Sequence, residues 1–256
     1  MTIKITDGVV LSNLRNCINL VPIKNFNFVT LHFNSEDSTL KVYEADLNES
    51  FIVSMKYNIP EETLLESSEE FVLPLIRNIS KHLINPKFTE MVLDIGGIEL
   101  KSNNLNLNIS SIENPLGDEY PEFPVDAQEF KTLLDEQAEN ISNSVDFKIT
   151  KDDISEILSS LSVLASDLDS YTLTSKPGKI EIETKDAAKN KVQYIINCDN
   201  SAKLKVKFDE YFTFFLQSLL RVKDLDVFDI QLNSHAIIAT FKIQDIEVLY
   251  SVVSYS

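Results

Sequence analysis

Several function classes are excluded by what this 256-residue chain lacks. It has five glycines, and neither G-x-x-x-x-G-K-[ST] nor G-x-G-x-x-G occurs, so the common phosphate-cradling loops are absent. Its two cysteines, Cys17 and Cys198, are not in a zinc-like spacing, and a reduced intracellular pair is expected. His32, His82 and His235 are scattered, without an i, i+4 histidine partner or a suitable neighbouring cysteine, and read as ordinary histidines rather than metal ligands. No apolar run approaches the roughly 18 residues of a membrane span. The opening Met1-Thr-Ile-Lys-Ile-Thr6 alternates instead of following a signal-peptide layout, so a cytoplasmic protein is expected. The acid pairs Glu61/Glu62 and Glu69/Glu70 lie in a polar linker with nothing to raise a pKa. No nucleophile–base set, cofactor site or metal site is visible, and no enzymatic activity is expected.

What is present is a core and an excess of acid. With 43% hydrophobic residues and 15 phenylalanines, the chain can bury one large domain or two modest ones. Lys and Arg number 23 against 40 Asp and Glu, a formal charge of −17.

The hydrophobic periodicity repeats. Ile3-Lys-Ile-Thr6 and Phe147-Lys-Ile-Thr150 both alternate like strands and end in a residue able to cap a helix. After the first, Val10, Leu14, Cys17, Ile18 and Val21 share one helical face. After the second, Ile154, Ile157, Leu158, Leu161, Ala165 and Leu168 do the same, predicting a helix over 151–168 with Thr150 and Asp153 as a capping box. Three strands follow each helix, at 27–34, 39–44 and 50–57 and at 170–175, 179–184 and 191–197. A second strand and helix then appear in each half: 70–73 with a helix over 74–84 opened by Pro74, and 203–208 with a helix over 209–222. Strands at 90–95, 98–102 and 105–110, and at 227–232, 236–243 and 247–253, close the halves. The expected organisation is α+β: two similar domains, 1–111 and 145–256, each of two βαβββ units. A proline-containing acidic connector at 112–144 joins them and includes one possible helix over 127–141.

This plan resembles that of DNA sliding clamps, above all the two-domain clamps of the T4-type phage and proliferating cell nuclear antigen kinds. The stretch Leu40-Lys-Val-Tyr-Glu-Ala-Asp-Leu-Asn-Glu-Ser-Phe51 is similar to the bacterial clamp segment in which a strand ends in Asp-Leu and a hydrophobic strand restarts. Phe147-Lys-Ile-Thr-Lys-Asp-Asp-Ile-Ser-Glu-Ile-Leu158, with Lys179-Ile-Glu-Ile182, resembles the second domain of the phage clamp, and Glu119-Tyr-Pro-Glu-Phe-Pro124 its connector. The resemblance implies the DNA clamp fold, with helices lining a ring interior and antiparallel sheets outside. It further implies a homotrimer that encircles double-stranded DNA without sequence preference, and a DNA polymerase and a clamp loader ATPase as partners. A phage or viral protein acting in a bacterial cytoplasm fits that set. The alternative is a monomeric acidic polymerase accessory factor or DNA mimic of the same fold.

The charge pattern answers the objection that a DNA-enclosing protein should be basic. Residues 8–35 contain no acid and carry Arg15 and Lys24; residues 71–89 contain none and carry Arg77, Lys81 and Lys87. Residues 36–70, between them, hold ten acids. In the second half Thr213, Gln217 and Arg221 form a polar stripe followed by Lys223. These residues and Lys151 are the expected phosphate contacts, although helix 151–168 otherwise exposes serines and acids. Phe212 and Phe215 read as core, and Phe214 falls on the polar side.

By resemblance, partner peptides enter an interdomain pocket framed by Ala45 and Leu47, by Leu116, Tyr120 and Phe123, and by Tyr250, Val252, Val253 and Tyr255. Also by resemblance, subunits join by pairing the strand bearing Leu105, Leu107 and Ile109 with the strand bearing Val192, Tyr194 and Ile196 of the next copy.

Overall fold

A computed structural model describes residues 3–22, 26, 28–45, 50–60, 69–74, 85–94, 96–110, 144–162, 164, 168–186, 188–200 and 202–255, with the backbone alone at 28, 69–74, 168 and 169. The expected helices at 75–84 and 127–141, the connector from 112 to 143, and the site residues Lys24, Leu47, Arg77, Lys81, Leu116, Tyr120 and Phe123 lie outside the described residues.

In chain order the elements are β1 (Ile3–Ile5), α1 (Gly8–Leu20), β2 (Phe28–Asn34), β3 (Thr39–Ala45), β4 (Phe51–Asn58), β5 (Glu69–Pro74), β6 (Glu90–Asp94), β7 (Gly97–Lys101) and β8 (Asn106–Ser110). The second half gives β9 (Val145–Thr150), α2 (Lys151–Leu161), β10 (Leu168–Lys176), β11 (Lys179–Asp186), β12 (Lys191–Asn197), β13 (Leu204–Phe208), α3 (Tyr211–Arg221), β14 (Val227–Leu232), β15 (Ala236–Ile243) and β16 (Ile246–Val253). Two compact units result, one of residues 1–44, 53–127 and 244–248, the other of 45–52, 128–243 and 249–256.

In the first unit, β1-β6-β7-β8 form an antiparallel sheet in which Ile3 faces Leu93, Leu93 faces Ile98 and Ile98 faces Ile109. Strands β5-β2-β3 form a second antiparallel ladder, with Phe33 opposite Leu40 and His32 opposite Glu70. Glu69 and Glu70, read as part of a polar linker, stand on β5, which includes the expected strand 70–73 and has Pro74 as its last residue. Helix α1 buries Val10, Leu11, Leu14, Cys17, Ile18 and Leu20. Its cap is Asp7, not Thr6: the Asp7 carboxylate accepts from the Val9 and Val10 N–H groups at 2.7 and 3.0 Å, where an anion also meets the positive helix end. Burial raises the Cys17 thiol to about 12, so this cysteine is an inert core residue.

In the second unit, the order β12-β11-β10-β13 repeats the four-stranded arrangement, and β9-β14-β15 form the other ladder, with Phe228 opposite Ile149. The capping box of α2 is present: Thr150 Oγ1 accepts from Asp153 N at 3.0 Å and Asp153 Oδ2 accepts from Thr150 N at 2.9 Å. The helix stops at Leu161 and not at 168, because Leu168 opens β10 and pairs with Asp186. Helix α3 is preceded by Asp209, whose carboxylate accepts from Tyr211 N at 2.9 Å. Phe212 and Phe215 are buried, Phe212 stacking on Phe208 at 5.9 Å and leaning on Tyr171 at 5.3 Å. Phe214 packs edge-on to Tyr211 at 5.8 Å, which accounts for an aromatic on the polar side.

One core position in the first unit is polar at a cost. Glu44 on β3 is fully buried; one carboxylate oxygen accepts from the Thr30 N–H, and the other has no partner among the described residues. Desolvation pushes this carboxyl well above its ordinary range. A folded-state pKa above the unfolded one stabilises fully at low pH and loses that contribution as pH rises. The stability of Glu44→Gln relative to wild type should therefore increase steadily from about pH 4 upward in thermal melts. A difference that stays constant across pH would mean that Glu44 is solvated.

Candidate nucleic-acid and partner surfaces

The second unit gathers basic groups at one end of its helix pair. The start of α2 lies beside the end of α3, with Lys151 Nζ 3.4 Å from the Lys223 carbonyl oxygen and 3.6 Å from the Asp226 carboxylate. Arg221, the last residue of α3, is exposed, and its cation suits the negative end of that helix. Lys223 is exposed one turn-residue further on, and Gln217 is half-buried a turn back. Thr213 is already engaged, its hydroxyl 2.7 Å from the Tyr171 hydroxyl. The expected Lys151, Gln217, Arg221 and Lys223 thus share one neighbourhood.

The outward face of α2 has a different character. Asp152, Ser155, Glu156 and Ser159 are exposed. The Tyr194 hydroxyl of β12 lies 3.0 Å from Asp153 Oδ1 and 3.1 Å from Glu156 Oε2. Burial, followed by these carboxylate neighbours, pushes the Tyr194 phenol up. Asp153 is raised by burial but held lower overall by hydrogen bonds from the Thr150 hydroxyl, the Thr150 N–H and Tyr194.

In the first unit, the half-buried guanidinium of Arg15 donates to the Phe88 carbonyl, and burial lowers its pKa from the ordinary value. Lys87, the preceding residue, is exposed in a turn ordered by Asn85, whose Oδ1 accepts from Lys87 N at 3.0 Å. Arg15 and Lys87 are therefore neighbours, with part of the Arg15 donor set spent on the backbone.

Two expected partner contacts are corrected. Tyr250 and Val252 are completely buried, Tyr250 packing edge-on against Phe51 at 6.3 Å and Phe241 at 5.4 Å, so neither can line an open pocket. Ala45 and Val253 are half-buried, and Tyr255 is 41% exposed. The tail is tied down through its backbone: Val253 N to Ser50 O at 2.9 Å, Ser254 N to His235 O at 2.6 Å and Tyr255 N to Lys207 O at 3.1 Å.

Strands β8 and β12 stand at the ends of their four-stranded sheets. Leu107, Val192 and Tyr194 are half-buried, Ile109 and Ile196 are buried in the sheet face, and Leu105 just ahead of β8 is 54% exposed. Ile195 on β12, which the alternation assigned to the polar side, is 46% exposed. Its signal was the break in that alternation: an isoleucine in register with Lys191 and Gln193.

Among the described residues no group of three His, Cys, Asp or Glu could hold a metal, and no helix is long and apolar enough to cross a membrane. No protein-family model matches the sequence, and no curated protein matches it. Solved structures do match, over the whole chain. A proliferating cellular nuclear antigen from Entamoeba histolytica aligns with a TM-score of 0.69 at 14% identity, covering 100% of this chain and 98% of that one. The DNA polymerase III subunit beta from Pseudomonas aeruginosa gives 0.73 at 13% identity, covering 100% of this chain and 66% of that chain. A structure of the C-terminal region of FEN-1 bound to A. fulgidus PCNA gives 0.66 at 13% identity, covering 100% and 98%. The fold is that of the sliding clamps.

Burial separates the two C-terminal tyrosines. Tyr250→Ala should cost about 3–5 kcal/mol in denaturant unfolding, as for other large core truncations, whereas Tyr255→Ala should stay within about 0.5 kcal/mol. Equal losses at both positions would show that the tail packs as core.

Proposed function

We propose that this chain is a sliding-clamp subunit: three copies close a ring around duplex DNA and tether a DNA polymerase, after loading by a clamp loader ATPase. The reading is non-enzymatic. Its main support is the clamp fold over the full chain, with two sheet edges, β8 and β12, that no strand covers among the described residues, each flanked or occupied by an exposed apolar side chain, Leu105 or Ile195. Edge strands of this kind are templates for pairing, and joining β8 of one copy to β12 of the next would remove both. Leu105, Leu107, Ile109, Val192, Tyr194 and Ile196 belong to that joint in this proposal, with Ile195 added. Partner peptides would dock near Ala45, Leu47, Val253 and Tyr255 together with the connector residues Leu116, Tyr120 and Phe123.

DNA would be held by enclosure and by weak, sequence-indifferent phosphate contacts from Lys151, Gln217, Arg221 and Lys223, with Arg15, Lys24, Arg77, Lys81 and Lys87 contributing from the other half. The net charge of −17 is the one feature that favours the alternative, a monomeric accessory factor or DNA mimic. Topology distinguishes them. Loaded onto nicked circular DNA, the protein should be retained and should then leave when the circle is cut to a linear form. Arg221→Glu with Lys223→Glu should shorten retention several-fold at low salt with the fold intact by circular dichroism. Retention that is indifferent to cutting the circle would contradict enclosure.

A further inference from the structure

The sheet β12-β11-β10-β13 of the second unit buries one face against α2 and α3, through Tyr171, Leu173, Ile182, Val206 and Phe208. By strand alternation the opposite face carries Lys176, Lys179, Lys185 and Lys191 around only two acids, Glu181 and Glu183. Each glutamate is shared by two lysines: Glu181 with Lys176 at 2.5 Å and Lys179 at 2.7 Å, Glu183 with Lys185 at 3.3 Å and Lys191 at 2.7 Å. Both clusters are left with surplus positive charge. The edge strand β13 adds Lys205 and Lys207, with Lys203 just ahead of it, all exposed. In a chain of charge −17 this basic face is an inversion of the overall balance.

The edge itself is already in use at one end. The Lys207 carbonyl accepts from Tyr255 N at 3.1 Å, so the polar backbone groups of Lys207 point away from β10. Lys205, two residues earlier and opposite Thr174 of β10, points its N–H and C=O the same way, and neither has a partner among the described residues. Beside this edge lies an apolar-floored cavity lined by Thr174, Ser175, Pro177 and Leu204 and rimmed by Lys176, Lys203 and Lys205.

We infer that the β13 edge takes an acidic, extended peptide segment of a partner protein as an added strand, with one apolar side chain in the cavity by Leu204 and acidic side chains against Lys203 and Lys205. Residues i and i+2 of a strand repeat every 6–7 Å or so, so alternate acids on the incoming strand match alternate lysines on β13. The unpaired backbone groups favour a peptide over a nucleic acid, whose phosphates would use the lysines and leave both the ladder and the apolar cavity unused. This surface stands on the second unit alone and does not depend on ring closure.

Fluorescence anisotropy tests it with a labelled peptide of alternating glutamate and valine carrying one central leucine. Binding should weaken as salt is raised, and should fall roughly tenfold or more with Lys203→Glu plus Lys205→Glu. N-methylation of alternate peptide nitrogens, which blocks the ladder without touching charge, should cause a similar loss on the unaltered protein. Lys148→Glu, on β9, should leave binding unchanged. No binding by the peptide, equal binding by its N-methylated form, or tighter binding by a single-stranded oligonucleotide would each overturn the proposal.

Discussion

An antiparallel sheet that buries one face under helices still has two edges, and how each edge is finished constrains everything else this chain can do. At β1 the end is guarded by charge, with Lys4, opposite Val92, paired diagonally with Glu90 at 3.0 Å. At β13 the returning tail at Tyr255 closes the Lys207 end, and Lys205 and Lys207 set a charge beside the rest that disfavours a second copy of an apolar strand. Strand β8 has no such protection among the described residues: Asn106, Asn108 and Ser110 are its outward residues, and Leu105 stands exposed beside them. Strand β12 keeps Lys191 but places Ile195 in solvent. The two unguarded edges belong to the two strands that the clamp reading joins between copies.

The second constraint is electrostatic. A chain of −17 cannot hold DNA by average attraction, so any useful contact must be local. Cations gather at Lys151, Arg221 and Lys223 beside the α2–α3 ends, where Asp152, Asp224 and Asp226 are interspersed with them, and at Arg15 and Lys87 in the first unit. It also spends some of them: Arg15 on a backbone carbonyl, Lys151 in part on Asp226. Weak, mobile contact is the consequence, which suits the sliding that the proposed function requires.

Much of the fold was legible because period-two and period-3.6 patterns are strong where one face is buried. Strands β12, β14 and β15 have the bounds that alternation assigns, and the α2 capping box follows from Thr150 and Asp153. Local signals failed where two elements compete for a residue. Leu168 continues the helical face of Ile154 and Ile157 yet pairs with Asp186, since a ladder partner outweighs one more helical position. Asp7 displaces Thr6 as cap because its carboxylate reaches two N–H groups. The site was less legible. Tyr250 and Val252 alternate in sequence as a surface strand would, but β16 is buried along nearly its whole length, so position near the C-terminus misleads. Buried Glu44 sits where its neighbours predict an apolar residue, and exposed Ile195 shows in the sequence only as a break in the alternation of β12.

The account turns on whether β8 and β12 find each other in separate copies. Sedimentation equilibrium of the unmodified chain at micromolar concentration tests this most directly. The clamp reading requires about 87 kDa, three copies of a 29.0 kDa chain. It also requires that Leu105→Asp together with Ile195→Asp return the mass to that of one copy. A wild-type chain that sediments at 29.0 kDa at every concentration would contradict it.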